Sequence, residues 1–233
     1  MIVRVDLHIH SGRDPRDNLS YSVAQVIDRA ASVGLHCLAI ADHGHFTWRA
    51  SDAAYARARG LLLIPAIEAR IQRRDVVILN AGADAERLST FAELRAYRAP
   101  DRLIIAPHPF FPIKASLKEL FDAHAELFDA VELSPCYLPL LDVHNNRARR
   151  AAARAGLPLI CNTDAHNLWQ LGGSYTEIEV PDLSITAVCA AIRAGRCRPV
   201  CRRLPVWRMA MFIGGGAVRY KLREWFGVRL NAE

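Results

Sequence analysis

Long apolar runs are missing from this sequence, and none reaches the roughly 18 residues of a helical membrane span. Nothing resembling a leader peptide precedes the first strand pattern, so a cytoplasmic protein is expected. Cysteine is thinly scattered, at Cys37, Cys136, Cys161, Cys189, Cys197 and Cys201. Only the last two are close, and no Cys/His pair follows at metal-binding spacing, so reduced thiols are expected rather than a disulfide framework or zinc ribbon. A Gly-rich loop of Walker type is also missing, which argues against nucleotide-driven phosphoryl transfer. Acidic residues are scarce in one place only. Residues 202–233 hold seven Lys/Arg against two Glu, a net of +5, whereas the other 201 residues hold 23 basic and 22 acidic residues, a net of +1.

What remains is an ordinary globular composition, 52% apolar and 23% charged over 233 residues, enough chain to bury one substantial α/β core. Short apolar runs with strand character recur at 2–9, 37–41, 61–67, 76–79, 103–106, 130–133 and 157–161. Helical patterns lie between them, clearest at Ser22–Val33, where Ser22 and Gln25 form a capping box and Gly34 supplies a stop. Leu117–Leu127 and Asn145–Ala155 repeat the theme. Strand and helix alternate about every 30 residues, the size of a βαβ unit, which predicts a parallel α/β architecture, barrel or open sheet.

In both architectures sites gather at the C-terminal ends of strands. The first strand carries Asp6, His8 and His10, two residues apart, and strict alternation would project all three from one face at roughly 7 Å per step. After the second strand come Asp42 and His43, after the third Glu68, and after the fourth only Asn80. His108 follows the fifth, Glu132 and Ser134 the sixth, and Asp164 and His166 the seventh. Five of nine histidines therefore fall at strand exits, along with Asp42, Glu68 and Asp164. Imidazoles mixed with carboxylates suit zinc, manganese or iron better than calcium or magnesium. There are too many of them for one ion, so two or three bridged divalent ions are expected.

DLHIHS, ADHGH, IPAIEAR, APHP and NTDAH, in that order, resemble the signature of the PHP (polymerase and histidinol phosphatase) family over about residues 3–180. The resemblance implies a distorted (β/α)7 barrel with a metal cluster at its C-terminal mouth, here as a single domain over 1–201 followed by a basic tail. It implies that His8, His10, Glu68 and Asp164 hold one ion, that Glu68 bridges to a second held by His108, and that His43 and His166 hold a third. Two departures stand out. A fourth-strand histidine common in the family falls at Val77 here, and the loop after His10 offers Asp14 or Asp17, with Asp14 preferred slightly. Asp6 and Asp42 are candidates to orient the ligands, and His45 to bind metal or carry a proton. Arg13, Arg16, Arg70 and Lys114 lie near ligand positions and are candidates to clamp a phosphate.

The activity implied is hydrolysis of a phosphate ester, with metal-bound water attacking and no protein nucleophile. Binding to such ions lowers the pKa of water from about 15.7 to about 7. The substrate would be a phosphorylated metabolite, a nucleotide or an oligonucleotide end. A nucleic-acid partner fits the charge but no binding motif accompanies it. Two rivals stand beside this reading. An amidohydrolase also begins on His-x-His, although no lysine precedes Lys114 to serve as a carboxylated ligand; a non-catalytic PHP-like binding domain with a partly decayed site is the other. The tail, with Trp207, Met209, Met211 and Phe212 before its basic stretch, is read either as packing on the barrel or as a segment for a membrane surface or partner.

Overall fold

The alternation of Val3, Val5 and Leu7 with Ile2, Arg4 and Asp6 forms β1 (Ile2–Ile9) in the computed structural model, which describes residues 1–137 and 142–205. Eight further strands join it: β2 (Cys37–Ile40), β3 (Leu62–Ile71), β4 (Arg74–Leu79), β5 (Leu103–Ala106), β6 (Ala130–Leu133), β7 (Leu159–Cys161), β8 (Tyr175–Glu179) and β9 (Cys197–Val200). The single sheet runs in the order β7-β6-β5-β4-β3-β2-β1-β8-β9. It curls until its ends nearly meet. His10 N–H donates to Ala165 O at 3.1 Å, and the Thr176 hydroxyl bridges the backbone of Cys161 at 2.9 Å on both sides. The result is a nearly closed, barrel-like α/β sheet.

All seven expected strands are present, but strict parallel alternation is not. β1, β2 and β3 pair in parallel, as do β5, β6 and β7. β4 is antiparallel to both β3 and β5, and two strands that the sequence pattern did not suggest complete the sheet, β8 antiparallel to β1 and β9 antiparallel to β8. The β3–β4 connection explains the first difference. Gln72 and Arg73 have φ of 46° and 67°, the two left-handed residues of a tight hairpin. Neither is the Gly, Asn or Asp that would mark such a turn.

Helices cover the outside: α1 (Val23–Ser32), α2 (Ala50–Ala58), α3 (Phe91–Tyr97), α4 (Glu119–Ala123), α5 (Val143–Ala155) and α6 (Ile185–Arg193). The Ser22–Gln25 capping box forms as predicted, and α1 buries Val23, Val26, Ile27 and Ala30. Inside the barrel, Val5, Ala39, Ala66, Val77, Ile105 and Ile160 pack in one cluster. Helix α6 adds Val188, Ala191 and Ile192 to it and closes the end away from the strand exits, where Arg193 bonds Pro100 O and Asp129. The opposite end is left for polar side chains. Among the described residues, no helix is long and apolar enough to cross a membrane. Residues 202–205 stay fastened to the barrel, with Leu204 buried and its N–H on Pro135 O at 3.1 Å. The rest of the tail, 206–233, lies outside the described residues.

Candidate metal centre

Pairing between β1 and β2 runs Asp6↔Leu38, then Ile9↔Ile40, so three steps on one strand answer two on the other, a one-residue bulge. The bulge changes the phase of β1. Val5 and Leu7 belong to the interior cluster, while Ile9 joins Leu38 and Ile40 under the helices. His8 and His10 therefore turn into the mouth, and Asp6 does not share their face. This corrects the expectation from strict alternation. Asp6 is fully buried elsewhere, accepting from Thr163 N–H at 3.0 Å and the Thr163 hydroxyl at 2.6 Å. Burial lifts its carboxyl to about 7, against the pull of those bonds. Its work is to pin β1 to the segment after β7, aided by Leu7 N–H on Asn162 Oδ1 at 2.8 Å.

Glu68 lies at the centre of the mouth, 2% exposed. Four imidazoles surround its carboxylate: His43 Nε2 at 3.0 Å, His8 Nε2 at 3.4 Å, His10 Nε2 at 3.7 Å and His108 Nε2 at 3.8 Å. Asp164 Oδ1 stands 3.2 Å from His10 Nε2 and 3.5 Å from His8 Nε2. Four overlapping groups have ligand atoms close enough to share an ion: His8, His10 and Asp164; His8, Glu68 and His108; His10, Asp17, His43 and His166; and His10, Asp14 and Asp42. His108 and Asp164 hold left-handed backbones, φ 31° and 48°, which non-glycine residues adopt only where surrounding structure imposes it.

The outer nitrogens of the imidazoles are held by a further ring of acceptors. His8 Nδ1 meets Glu132 at 3.1 Å, and Glu132 in turn accepts from Asn162 Nδ2 at 2.7 Å. Asp14 Oδ2 sits between His10 Nδ1 at 2.9 Å and His43 Nδ1 at 2.7 Å, and also takes His43 N–H at 2.9 Å. His166 Nδ1 meets Asp164 O at 2.9 Å. Such partners fix the ring orientation and tautomer of metal-binding histidines. Asp42 performs a similar service for the loop, accepting from Ser11 N–H, the Ser11 hydroxyl and the Thr47 hydroxyl at 2.5–2.8 Å. Asp17 reaches further in, with Oδ2 2.8 Å from His166 Nε2 and 3.3 Å from His43 Nδ1.

The charges are severe. Burial pushes the His8 imidazole down, but Glu132, Asp164 and Glu68 outweigh it and hold it well above the ordinary range. The same contest leaves His10 at about 9, through Asp14 and Asp164, and His43 at about 10, through Asp14 and Glu68. Glu68 and Asp164 are buried, yet the imidazoles hold both carboxyls well below the usual carboxylate range. Even so, His8 Nε2 and both Glu68 oxygens are buried without a hydrogen-bond partner. Such atoms cost about 1–3 kcal/mol each when left unmade. Nitrogen and oxygen lone pairs converging on common points are what divalent cations of the zinc, manganese and iron type accept, so the residues fit metal ions.

The other sequence candidates are spread out. His45 is exposed and outside the cleft. Arg13 is committed to Asp52 and Thr47 O, and Arg70 to Asp75. Lys114 is exposed beyond the cleft, while Arg16 lines it. Two residues escaped the sequence reading as site candidates. Glu132 was visible at a strand exit. Asp75 was hidden because β4 runs backwards, placing that strand's first residues, not Asn80, at the mouth; it is 3% exposed and lines the cleft. Val77, opposite Glu68 in the β3–β4 register, remains in the apolar interior.

Residues 143–197 match the family model described as PHP-associated. No curated protein matches the chain. Among solved structures, PsfC from Pseudomonas syringae superposes with a TM-score of 0.67 at 16% identity, over 95% of this chain and 99% of its own. The lesion-specific endonuclease Q of Pyrococcus furiosus gives 0.58 at 20% identity, over 85% of this chain and 58% of its own, so this chain spans little more than half of that enzyme. A protein described as a candidate metal-dependent phosphoesterase, from Bifidobacterium adolescentis, gives 0.52 at 17%, over 70% and 87%. An amidohydrolase from Chromobacterium violaceum gives 0.54 at 16%, over 84% and 97%.

Proposed function

We propose that this chain, a PHP-family protein by its PHP-associated segment and its barrel, is a metal-dependent hydrolase whose substrate is a phosphate ester. The observation that carries the reading is the Glu68 carboxylate, buried, without a hydrogen-bond partner and ringed by four imidazoles. His8, His10, Glu68 and Asp164 would hold one ion, Glu68 and His108 a second, and His43, His166 and Asp17 a third. We prefer Asp17 to Asp14 there, because Asp14 already serves the Nδ1 atoms of two histidines. Divalent ions in such a site supply Lewis acidity, making water a nucleophile near neutral pH and screening charge on a phosphoryl group.

The protein's own residues have three tasks in this reaction. Glu132 and Asp14 accept from Nδ1 of His8 and of His10 and His43, which keeps each Nε2 aimed into the cleft. The interior cluster and the bulge hold these groups on rigid strands. Arg16, the one Lys or Arg lining the cleft among the described residues, is placed to meet an anionic substrate. A second reading, hydrolysis of an amide, draws on the amidohydrolase among the structural neighbours. The test is a screen of metal-loaded protein against phosphomonoesters, phosphodiesters and amides. Phosphate or alcohol release that stops on chelation supports the proposal, and amide cleavage alone would replace it with the second reading.

A further inference from the structure

The cleft above the metal residues has a lining that is part polar and part apolar, and metal and phosphate do not explain the apolar part. Its volume is about 190 Å³, below the roughly 300 Å³ at which drug-sized pockets begin, so only a small portion of a substrate fits inside. The metal residues and Arg16, together with Asp75, Ser134, Thr163 and Gln170, supply its polar lining. Its apolar lining is Phe111, Ile113, Pro135, Cys136 and Leu204. These come from three separate stretches of chain: the loop after β5, the loop after β6 and the segment after β9.

Three observations make this apolar lining more than chance. Phe111 is held by a turn, its N–H on His108 O at 2.9 Å, and its ring meets His108 edge-on at 6.2 Å. The ring is thus fixed three residues from a candidate ligand. It is braced from behind by His144, at 5.1 Å and nearly perpendicular. The exposed large apolar residues among those described are Met1, Ile2, Ile113 and Val143. The first two are at the chain start; Ile113 lines the cleft and Val143 adjoins His144. The side chains that could have clamped a highly charged substrate are meanwhile engaged elsewhere, Arg13 on Asp52 and Arg70 on Asp75.

We infer that the cleft selects phosphate esters whose alcohol carries an apolar ring next to the ester oxygen, the ring lying on Phe111, Ile113 and Leu204 while the phosphoryl group faces the metal residues and Arg16. This rests on the phosphoesterase reading for the reaction, and on the cleft alone for the preference. Esters of small alkyl alcohols would leave the surface of Phe111, Ile113 and Leu204 wet.

The test compares benzyl phosphate with ethyl phosphate, whose alcohols have similar basicity, so that a difference reads binding rather than leaving-group chemistry. A parallel arm measures Kd of benzylphosphonate and ethylphosphonate on the same metal-loaded protein by calorimetry. We expect at least a tenfold preference for the benzyl compound in both arms, a discrimination of the size one apolar pocket gives. Phe111→Ala should bring the benzyl-to-ethyl ratio to within threefold of unity, and Phe111→Leu should restore part of it. Equal treatment of the two compounds by the wild type in the binding arm overturns the inference, as does a ratio unmoved by Phe111→Ala. Failure to hydrolyse either ester with the binding preference intact would instead overturn the phosphoesterase reading.

Discussion

Replacing Glu68 by Gln tests the metal centre at its most informative atom pair. Its two oxygens face four imidazoles at 3.0–3.8 Å, and the neutral amide presents one weaker acceptor in place of an anionic bridge. Loss of a residue that merely orients a ligand costs metal affinity 10–100-fold, so loss of a direct ligand should cost at least about 100-fold, or about 2.7 kcal/mol, for each ion it touches. If Glu68 bridges two ions, the sum is about 5 kcal/mol. His166 meets Asp17 and Asp164 at one side of the cluster, and His166→Ala should weaken one ion only. The assay is elemental analysis after equilibrium dialysis at graded free Mn or Zn, with circular dichroism to confirm folding. Breaking a buried ion pair can itself cost about 3–5 kcal/mol, so Glu68→Asp, which keeps the charge on a shorter arm, is run in parallel. Glu68→Gln should lose more equivalents of metal than His166→Ala at the same free concentration. If it loses no more, or keeps full hydrolase activity, Glu68 is not a bridge and the assignment fails.

Glu132→Gln keeps the shape of the group that meets His8 Nδ1 but gives up its charge, and should weaken metal binding 10–100-fold, read by calorimetric titration of protein shown by circular dichroism to be folded. Metal uptake near pH 7 should release protons, because His10 and His43, at about 9 and 10, must lose theirs before they can ligate; a binding enthalpy independent of buffer ionisation enthalpy would contradict this. In the metal-free chain these raised values mean that their stabilisation is complete below the unfolded histidine value of about 6.5 and is lost as pH climbs through 9–10, so thermal unfolding temperature should fall over that window. Gly172 has φ of 83°, and a Cβ there would lie 2.7 Å from Val33 Cβ; Gly172→Ala should cost more than the roughly 1–2 kcal/mol of left-handed strain alone, and more than Gly34→Ala, where the φ is 74° but the nearest atom is 3.8 Å away.

The parts of this molecule that could be read from the sequence were those whose cause is local. The Ser22–Gln25 box, the Gly156 stop with φ 66° and the apolar strand runs each depend on a few neighbouring residues, and they appear where the pattern put them. Strand exits led to His8, His10, His43, Glu68, His108, Asp164 and His166, because a barrel gathers one end of every parallel strand. That same logic failed on β4, where Gln72 and Arg73 adopt positive φ without turn chemistry to announce it. A single reversed strand then exchanged Asn80 for Asp75 at the mouth.

Asp6 shows a subtler limit. Its two-residue spacing from His8 looks identical to the spacing of His8 from His10, yet a one-residue bulge against β2 sends Asp6 to Thr163 instead. Nothing local specifies the bulge. It is favoured by what lies across the barrel: an interior that takes Val5 and Leu7 among Ala39, Ala66 and Ile160, and directly above it a carboxylate ring that requires both imidazoles on the same side. Periodicity along a strand can say that three polar groups lie in phase. Which of them share a face is decided by the residue count on the neighbouring strand, a long-range property that only the folded sheet carries.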